Sequence, residues 1–142
     1  MFRRIACGFL LCAMGALAAG CGNDINPVAP NADPITETFT GSVNPASGST
    51  HSFITLTGGK ITATLSAVGP DPAKNVGFSL GTFNATLNTC TAVLDNPAAV
   101  QAFEFNANAS SIGAYCVRIY DNGNVTTDNV PYTYTITVVH PQ

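Results

Sequence analysis

The chain has 142 residues, of which 46% are hydrophobic and 9% charged, and its net charge at pH 7 is −3. Beyond residue 20 its cations are Lys60, Lys74 and Arg118. Three scattered cations cannot follow a phosphate backbone or hold an anionic membrane surface, so the composition excludes a nucleic-acid-binding protein and a polybasic membrane patch. The high hydrophobic content and its alternating pattern predict a folded domain.

The first 20 residues predict a secretory signal peptide. Arg3 and Arg4 precede an uncharged, largely apolar run from Ile5 to Ala19, and small residues lead up to Cys21, which is the layout of a cleaved export signal. The run is shorter than the ~20 apolar residues that a membrane-spanning helix needs. We therefore expect export and removal of residues 1–20.

The segment LAAGC, which ends at Cys21, resembles the lipobox of bacterial lipoproteins. In those proteins the cysteine after the cleavage point is acylated, with palmitate among the chains, and two or three chains anchor the protein durably because each buried methylene contributes ~0.8 kcal/mol. Ala18 stands where leucine is usual. Gly22 follows the cysteine, which favours the outer membrane, at its periplasmic face or the cell surface. Ordinary cleavage near Gly20 is the alternative.

The remaining cysteines predict a disulfide. Cys7 and Cys12 leave with the signal peptide and Cys21 carries the lipid, so Cys90 and Cys116 form a single pair in an oxidising compartment. Zinc binding is the rival interpretation, but the pair lacks a C-x-x-C spacing and nearby histidines. We therefore expect a disulfide and no metal.

Residues 21–34 are the lipidated N-terminus and a linker rich in Asn, Asp and Pro, and residues 35–142 form one domain. In the domain apolar residues recur at every second position, with threonines between them and turn-forming residues at short intervals, which is typical of strands with one buried face. The eight predicted strands are Ile35–Val43, Ser52–Thr57, Lys60–Val68, Val76–Phe83, Ala85–Leu94, Gln101–Ala107, Ile112–Tyr120 and Tyr132–Val139.

The fold class predicted from these strands is all-β, an antiparallel β-sandwich or jelly-roll-like domain. The last strand alternates most clearly, with every second residue from Tyr132 to Val138 on one face. TGGK, at Thr57–Lys60, predicts a two-glycine hairpin between the second and third strands. Outside the signal peptide no run of ten or more residues has the helical period.

Two long stretches resemble the bacterial pre-peptidase C-terminal domain. They are HSFITLTGGKITATLSAVGPD, residues 51–71, and GAYCVRIYDNGNVTTDNVPYTYTITV, residues 113–138. The resemblance covers residues 36–139 and implies a non-catalytic β-sandwich of the kind attached to secreted enzymes, with a role in secretion, stability or substrate binding. The segment NVGFSLGTF, residues 75–83, which contains the fourth predicted strand, lacks the acidic residues that the family usually has there.

The segment GFSLG, Gly77–Gly81, fits the G-x-S-x-G pattern around the nucleophile of many serine hydrolases. A nucleophile elbow needs a strand, a sharp turn and a helix, whereas the residues after Gly81 have a strand pattern. Alternation places Ser79 on the outer face of its strand, and His140 lies at an end of the domain that we expect to be frayed. We therefore expect no catalytic residue, with a small hydrolase using Ser79 as a remote alternative.

Three residues are candidates for ligand contact. Tyr120 is out of phase with the buried face of its strand, which predicts exposure beside Arg118, and Phe83 lies at a strand end. A structural role at the rim of the sandwich is the alternative for each.

The aspartates of the domain are predicted to cap turns, where they commonly lie. The sequence DNGN, residues 121–124, resembles part of a calcium loop but lacks the remaining ligand spacing. The aspartates in predicted turns are Asp71, Asp95, Asp121 and Asp128.

Together these features predict a lipid-anchored, non-enzymatic cell-envelope protein that acts as a binding or structural module. We expect a monomer without a cofactor, whose partners are the membrane and a polysaccharide or protein ligand. An accessory substrate-binding domain that works with a secreted protease or glycanase is the alternative.

Overall fold

The computed structural model describes residues 33–126 and 131–142, and this part of the chain contains eight strands and no helix that could cross a membrane. The predicted signal peptide, Cys21, most of the linker and Asp128 lie outside the described residues. The strands are β1 Ile35–Val43, β2 Gly48–Thr55, β3 Gly59–Gly69, β4 Val76–Asn84, β5 Thr89–Ala99, β6 Glu104–Ala109, β7 Gly113–Tyr120 and β8 Tyr132–His140.

The strands form two four-stranded antiparallel sheets that pack together, so the predicted β-sandwich is confirmed. The first sheet has the order β1-β8-β3-β6 and the second the order β2-β7-β4-β5. Among the described strands only β4 and β5 are both consecutive in the chain and paired with each other. The other connections cross from one sheet to the other, which makes most pairings distant in sequence.

The hairpin predicted at Thr57–Lys60 is wrong. β2 pairs with β7, while β3 pairs with β6 and β8, so this segment connects the two sheets. Phe53 of β2 and Ile61 of β3 are both buried in the shared core, because an apolar strand face must be covered by a second layer. Gly58 packs closely at this crossing, since a Cβ there would lie 3.2 Å from the carbonyl oxygen of Ala109.

The core lies between the inner faces of the two sheets. The alternation predicted for β8 is confirmed, because Tyr132 and every second residue to Val138 are buried, while the threonines between them are at least partly exposed. Each fully buried aliphatic or phenylalanine side chain contributes about 1.5–3 kcal/mol. The largest apolar side chains in the core with almost no exposure are Phe78, Ile61, Leu65, Ile119, Ile136, Val43, Val76, Val117 and Val138.

Candidate functional site

The outer face of the second sheet carries a row of polar side chains. We use this name for the side of β2-β7-β4-β5 that is turned away from the core. Directly opposed residues of an antiparallel pair lie on the same side of a sheet. Arg118 of β7 is opposed by Thr50 of β2 and by Ser79 of β4, and Ser79 is opposed by Asp95 of β5. A cation and a carboxylate therefore flank the serine.

Tyr120 joins two members of this row into what we call the Arg-Tyr-Asp cluster. Its hydroxyl donates to both carboxylate oxygens of Asp95 at 3.0 Å. The guanidinium carbon of Arg118 lies 4.9 Å from the centroid of the Tyr120 ring, which is within cation–π range. Arg118 and Asp95 are exposed and Tyr120 is half-buried. The fold thus brings together two of the three predicted ligand-contacting residues, Tyr120 and Arg118.

Asp95 is the member of the cluster that sequence reasoning missed. The predicted turn at Asp95 is wrong, because β5 continues to Ala99 and Asp95 pairs with Ser79 inside that strand. The irregularities in the β4–β5 ladder explain the miss, since a bulge interrupts the alternation that marks a strand. Tyr120 is 25 positions away, so no local pattern connects the two residues.

Tyr120 is protonated at neutral pH, and its environment raises its pKa further. Desolvation raises the pKa of Tyr120 above its ordinary value of 10.0, and the hydrogen bond to Asp95 and the charge of that carboxylate raise it further. The positive charge of Arg118 lowers the pKa in part. The Tyr120 hydroxyl is therefore a donor to Asp95, and this bond fixes the ring on the sheet.

Ser79 lies on the outer face of β4, as the alternation predicts, and neighbouring groups cover it there. It is 1% exposed, and its Oγ has no hydrogen-bond partner among the described residues. A Cβ at Gly77 would overlap the Tyr120 ring, and a Cβ at Gly81 would overlap the carbonyl oxygen of Thr91. The two glycines of the motif therefore let neighbouring groups close over the outer face on either side of Ser79.

The surroundings of Ser79 are not those of a nucleophile elbow. Ser79 lies in the middle of β4, where an elbow would need a sharp turn followed by a helix. Both histidines have other partners: Nε2 of His51 lies 2.7 Å from the Tyr134 hydroxyl, and Nε2 of His140 lies 2.9 Å from Glu37. No imidazole is thus placed to take a proton from Ser79 in this structure.

The frayed end predicted at His140 is wrong. His140 is the last residue of β8, opposes Ile35 of β1 and is fully buried. Its ring centroid lies 5.0 Å from that of Phe53, and its pairing with Glu37 joins residues 103 positions apart in the chain. These contacts hold the end of β8 against β1 of its own sheet and against β2 of the second sheet.

His51 of β2 contacts the first sheet through Phe39 of β1 and Tyr134 of β8. Its ring stacks on Phe39 with centroids 4.8 Å apart and bonds the Tyr134 hydroxyl. Burial lowers the pKa of His51 below its ordinary value of 6.5, so the imidazole is neutral at pH 7. This histidine is accordingly part of an aromatic contact between the sheets.

The predicted disulfide between Cys90 and Cys116 is confirmed, with a Cα–Cα distance of 5.8 Å. Cys116 of β7 is opposed by Gly81 of β4, and Cys90 lies on β5 opposite Phe83. The bond therefore connects β7 to β5 across β4, which lies between them in the sheet. Glycine at position 81 permits this close approach, because β5 backbone occupies the space of a side chain there.

Phe83, the third predicted ligand-contacting residue, lies away from the cluster. It is half-buried near the end of β4, opposite Cys90. Six positions along β4 separate it from Gly77, which opposes Tyr120, and this corresponds to ~20 Å at the rise of a strand. Phe83 and the Arg-Tyr-Asp cluster therefore mark opposite ends of the outer face.

Asp121 caps a turn, as its position in DNGN predicts. Its Oδ1 accepts hydrogen bonds from the backbone N–H groups of Gly123, Asn124 and Val125, and its Oδ2 accepts one from Ala46. Desolvation raises the pKa of Asp121, but these four bonds together hold it below its ordinary value of 3.8. Within the described part of the chain no group of three or more His, Cys, Asp or Glu side chains is placed to hold a metal ion.

A groove of about 410 Å³ opens between the edge strands β1 and β2. Its apolar walls come from Ile35, Phe53, Ile54 and Leu56, and Glu37 contributes a carboxylate. Sequence reasoning did not find this groove, because its two sides belong to different sheets.

No protein-family model matches the chain, and no curated protein matches it. The resemblance to the pre-peptidase C-terminal domain stays a prediction from the residues, and the function has to be argued from the surface of the sandwich.

Proposed function

We propose that the protein is a non-enzymatic binding module that a lipid on Cys21 anchors in the bacterial cell envelope. The membrane that we propose is the outer membrane. The observation that supports binding is the Arg-Tyr-Asp cluster on the outer face. A guanidinium, an aromatic ring and a carboxylate are presented together on the strands of a sheet, which are more rigid than loops.

The cluster suits a ligand with an apolar face that can lie on the Tyr120 ring and with polar groups that can bond to Arg118 and Asp95. Arg118 is exposed, and among the described residues no carboxylate lies within salt-bridge distance of it. The one ion pair found there joins His140 and Glu37. The guanidinium of Arg118 is a planar donor for the hydroxyl or carboxylate oxygens of a ligand. Asp95 is exposed beside it as an acceptor, so a polysaccharide or a protein segment is the ligand class that we propose.

The cluster is also preorganised. The bond of Tyr120 with Asp95 and its position over Gly77 hold the ring before any ligand arrives. Binding to such a surface loses little side-chain entropy, which favours affinity. The mid-strand position of Ser79 and the other partners of both histidines support a non-enzymatic role.

Binding is tested with the chain from Gly22 to Gln142 on polysaccharide and peptide arrays. We expect a ligand whose affinity falls by about tenfold or more in Arg118→Ala, since a lost charged hydrogen bond corresponds to about 1.5–3 kcal/mol. Lys60→Ala is the matched control, because it removes an exposed cation from the first sheet. Equal affinity of Arg118→Ala and wild type for every ligand found would exclude the cluster as the binding site.

Anchoring is tested separately through the lipidation residue. Cys21→Ala should abolish metabolic labelling with a palmitate analogue and release the protein from the membrane fraction. A wild-type protein that takes no label would contradict the lipid anchor and leave the binding proposal to its own experiment.

A further inference from the structure

Three short connections meet at the end of the sandwich where β1 begins, which we call the entry end. They are residues 56–58 between β2 and β3, residues 85–88 between β4 and β5, and residues 110–112 between β6 and β7. The register of the strands places them at one end, since Thr55 opposes Gly113 and Gly59 opposes Ala109. The segment that precedes β1 enters the domain at the same end, because Ile35 opposes His140.

Each of these connections exposes one large aliphatic side chain. Leu56 is 51% exposed, Leu87 is 68% exposed and Ile112 is 67% exposed. None of the three connections contains a charged residue. Ile54, which is 59% exposed, extends the apolar surface along β2. Four of the six large hydrophobic side chains that are exposed in the described residues therefore lie at or beside the entry end.

The opposite end of the sandwich has a different composition. Its connections carry Asp71, Lys74 and Asp121. Among the described residues of this end, one large hydrophobic side chain is exposed, Val100 at 42%. In the described residues the apolar loop tips are thus concentrated at one end, and it is the end where the segment that precedes β1 joins the domain.

We infer that the entry end lies against the lipid bilayer, with Leu56, Leu87 and Ile112 entering the boundary between headgroups and acyl chains. The inference rests on the proposed lipid at Cys21. Residues 22–34 separate Cys21 from β1 and span at most ~45 Å when fully extended. A tether of that reach keeps the loop tips at a high local concentration near the bilayer, so a weak contact is populated.

The chemistry of the loops fits a lipid surface. The aliphatic side chains suit the acyl region, and the neighbouring Thr, Ser, Asn and Gly residues of the same loops can bond to headgroups without burying a charge. Asp33, Glu37 and Lys60 lie outside the three loops. From residue 21 on, the chain has three cations and eight acidic residues, a net charge of −5. Charge therefore does not attract the domain to an anionic bilayer, and the attraction has to come from apolar contact.

The contact is measured with single tryptophans, because the chain has none of its own. The chain from Gly22 carries an N-terminal hexahistidine tag and is tethered to vesicles of phosphatidylethanolamine and phosphatidylglycerol that include a nickel-chelating lipid. This tether replaces the native lipid, so the result does not depend on acylation of Cys21. The variants are Leu87→Trp and Ile112→Trp at the entry end, with Val100→Trp at the opposite end as the matched control.

On tethering, we expect the emission of Leu87→Trp and Ile112→Trp to move to shorter wavelength and to be quenched by brominated acyl chains, with no change for Val100→Trp. Unquenched emission at both entry-end positions would overturn the inference, as would equal quenching at Val100→Trp. A shift that occurs without vesicles, together with a dimer in sedimentation, would assign the surface to a second copy of the chain.

A variant without tryptophan checks that the large tryptophan side chain does not itself create the contact with the bilayer. Leu87→Ser should lower the affinity of the tagged domain for the same vesicles by up to about tenfold, since it removes one aliphatic side chain from the contact that adds to the tether. Val93→Ser removes a side chain of similar exposure, 71%, from β5 and should leave the affinity unchanged. Equal effects of the two substitutions would contradict a bilayer contact at the loop tips.

Discussion

Tyr120 and Gly77 are directly opposed across β7 and β4, and the tyrosine ring occupies the space that a side chain at position 77 would need. The missing Cβ lets the ring lie over Gly77 while its hydroxyl bonds Asp95. A glycine in a strand is usually unfavourable because of its entropy and its lack of packing. Here the ring of the opposed tyrosine supplies the packing.

Gly77→Ala should therefore destabilise the domain by about 1–3 kcal/mol, through overpacking and the displaced Tyr120. In a Tyr120→Ala background the same substitution should be neutral or stabilising, because alanine loses less backbone entropy than glycine. Urea unfolding of the four proteins in this double-mutant cycle measures both effects. An equal loss in the two backgrounds would mean that the glycine is needed for another reason.

Ser79→Ala should leave the free energy of unfolding unchanged or raise it by up to about 1 kcal/mol. The buried Oγ of Ser79 has no partner among the described residues, and removing an unpaired buried hydroxyl relieves a desolvation penalty. Thr55→Val is the control, because the buried Thr55 hydroxyl donates to the carbonyl oxygen of Ser111 at 3.2 Å and its loss should cost about 1 kcal/mol. Denaturant unfolding compares the two, and labelling of Ser79 by a fluorophosphonate probe would instead support a hydrolase.

Asp121→Asn should destabilise the domain at neutral pH by on the order of 1–2 kcal/mol, because the amide nitrogen of asparagine cannot accept the hydrogen bond that the Ala46 N–H donates. The loss is no larger because the carboxylate is half-exposed and water partly screens its charge. Because the folded-state pKa of Asp121 lies below 3.8, its contribution is complete above pH 3.8 and is lost as the pH falls through the folded-state pKa. The difference between variant and wild type should then shrink below pH 3.8.

Urea unfolding at a series of pH values checks the Asp121 prediction. Asp71→Asn is the control, because the Asp71 carboxylate accepts one backbone bond, from Ala73 at 2.9 Å, and its replacement should change stability less. A difference between Asp121→Asn and wild type that stays constant down to strongly acidic pH would rule out the carboxylate as the source.

The strands could be predicted from sequence because their signal is local. The alternation from Tyr132 to Val138 depends on two-residue spacing alone, and so does the phase of Tyr120 and Arg118. The pairing of the strands depends on which faces cover each other across the core, and TGGK carries no information about that. A local hairpin signal was therefore overruled by the burial of Phe53 and Ile61 between the two sheets.

The site was predicted only in part for the same reason. Arg118 and Tyr120 are near neighbours in the chain, so their phase was enough to place them together. Asp95 reaches Tyr120 through the order of β7, β4 and β5, and Ser79 is opposed by Arg118 and Asp95 from the strands on both sides. Glu37 meets His140 from 103 positions away, which no local pattern reports.

Reduction of the Cys90–Cys116 disulfide should lower the free energy of unfolding by about 3.5 kcal/mol. The cysteines are 26 positions apart, and closing a loop of that length removes about this much conformational entropy from the unfolded chain. The fold itself should persist, because the bond lies on the outer face and the core between the sheets consists of other side chains. Far-ultraviolet circular dichroism should remain that of a β-sandwich, while urea unfolding shifts to lower denaturant.

The double variant Cys90→Ser, Cys116→Ala separates the cross-link from the reducing agent. It should unfold at the same urea concentration as the reduced wild type, and reductant should have no further effect on it. Gly81→Ala gives an independent check, since a Cβ at position 81 would overlap the Thr91 carbonyl oxygen and should push β5 away from β7, so that more of the purified protein carries free thiols. A reduced protein as stable as the oxidised one would contradict the entropic account, and a reduced protein without strand signal would show that the bond is needed to form the sheet itself.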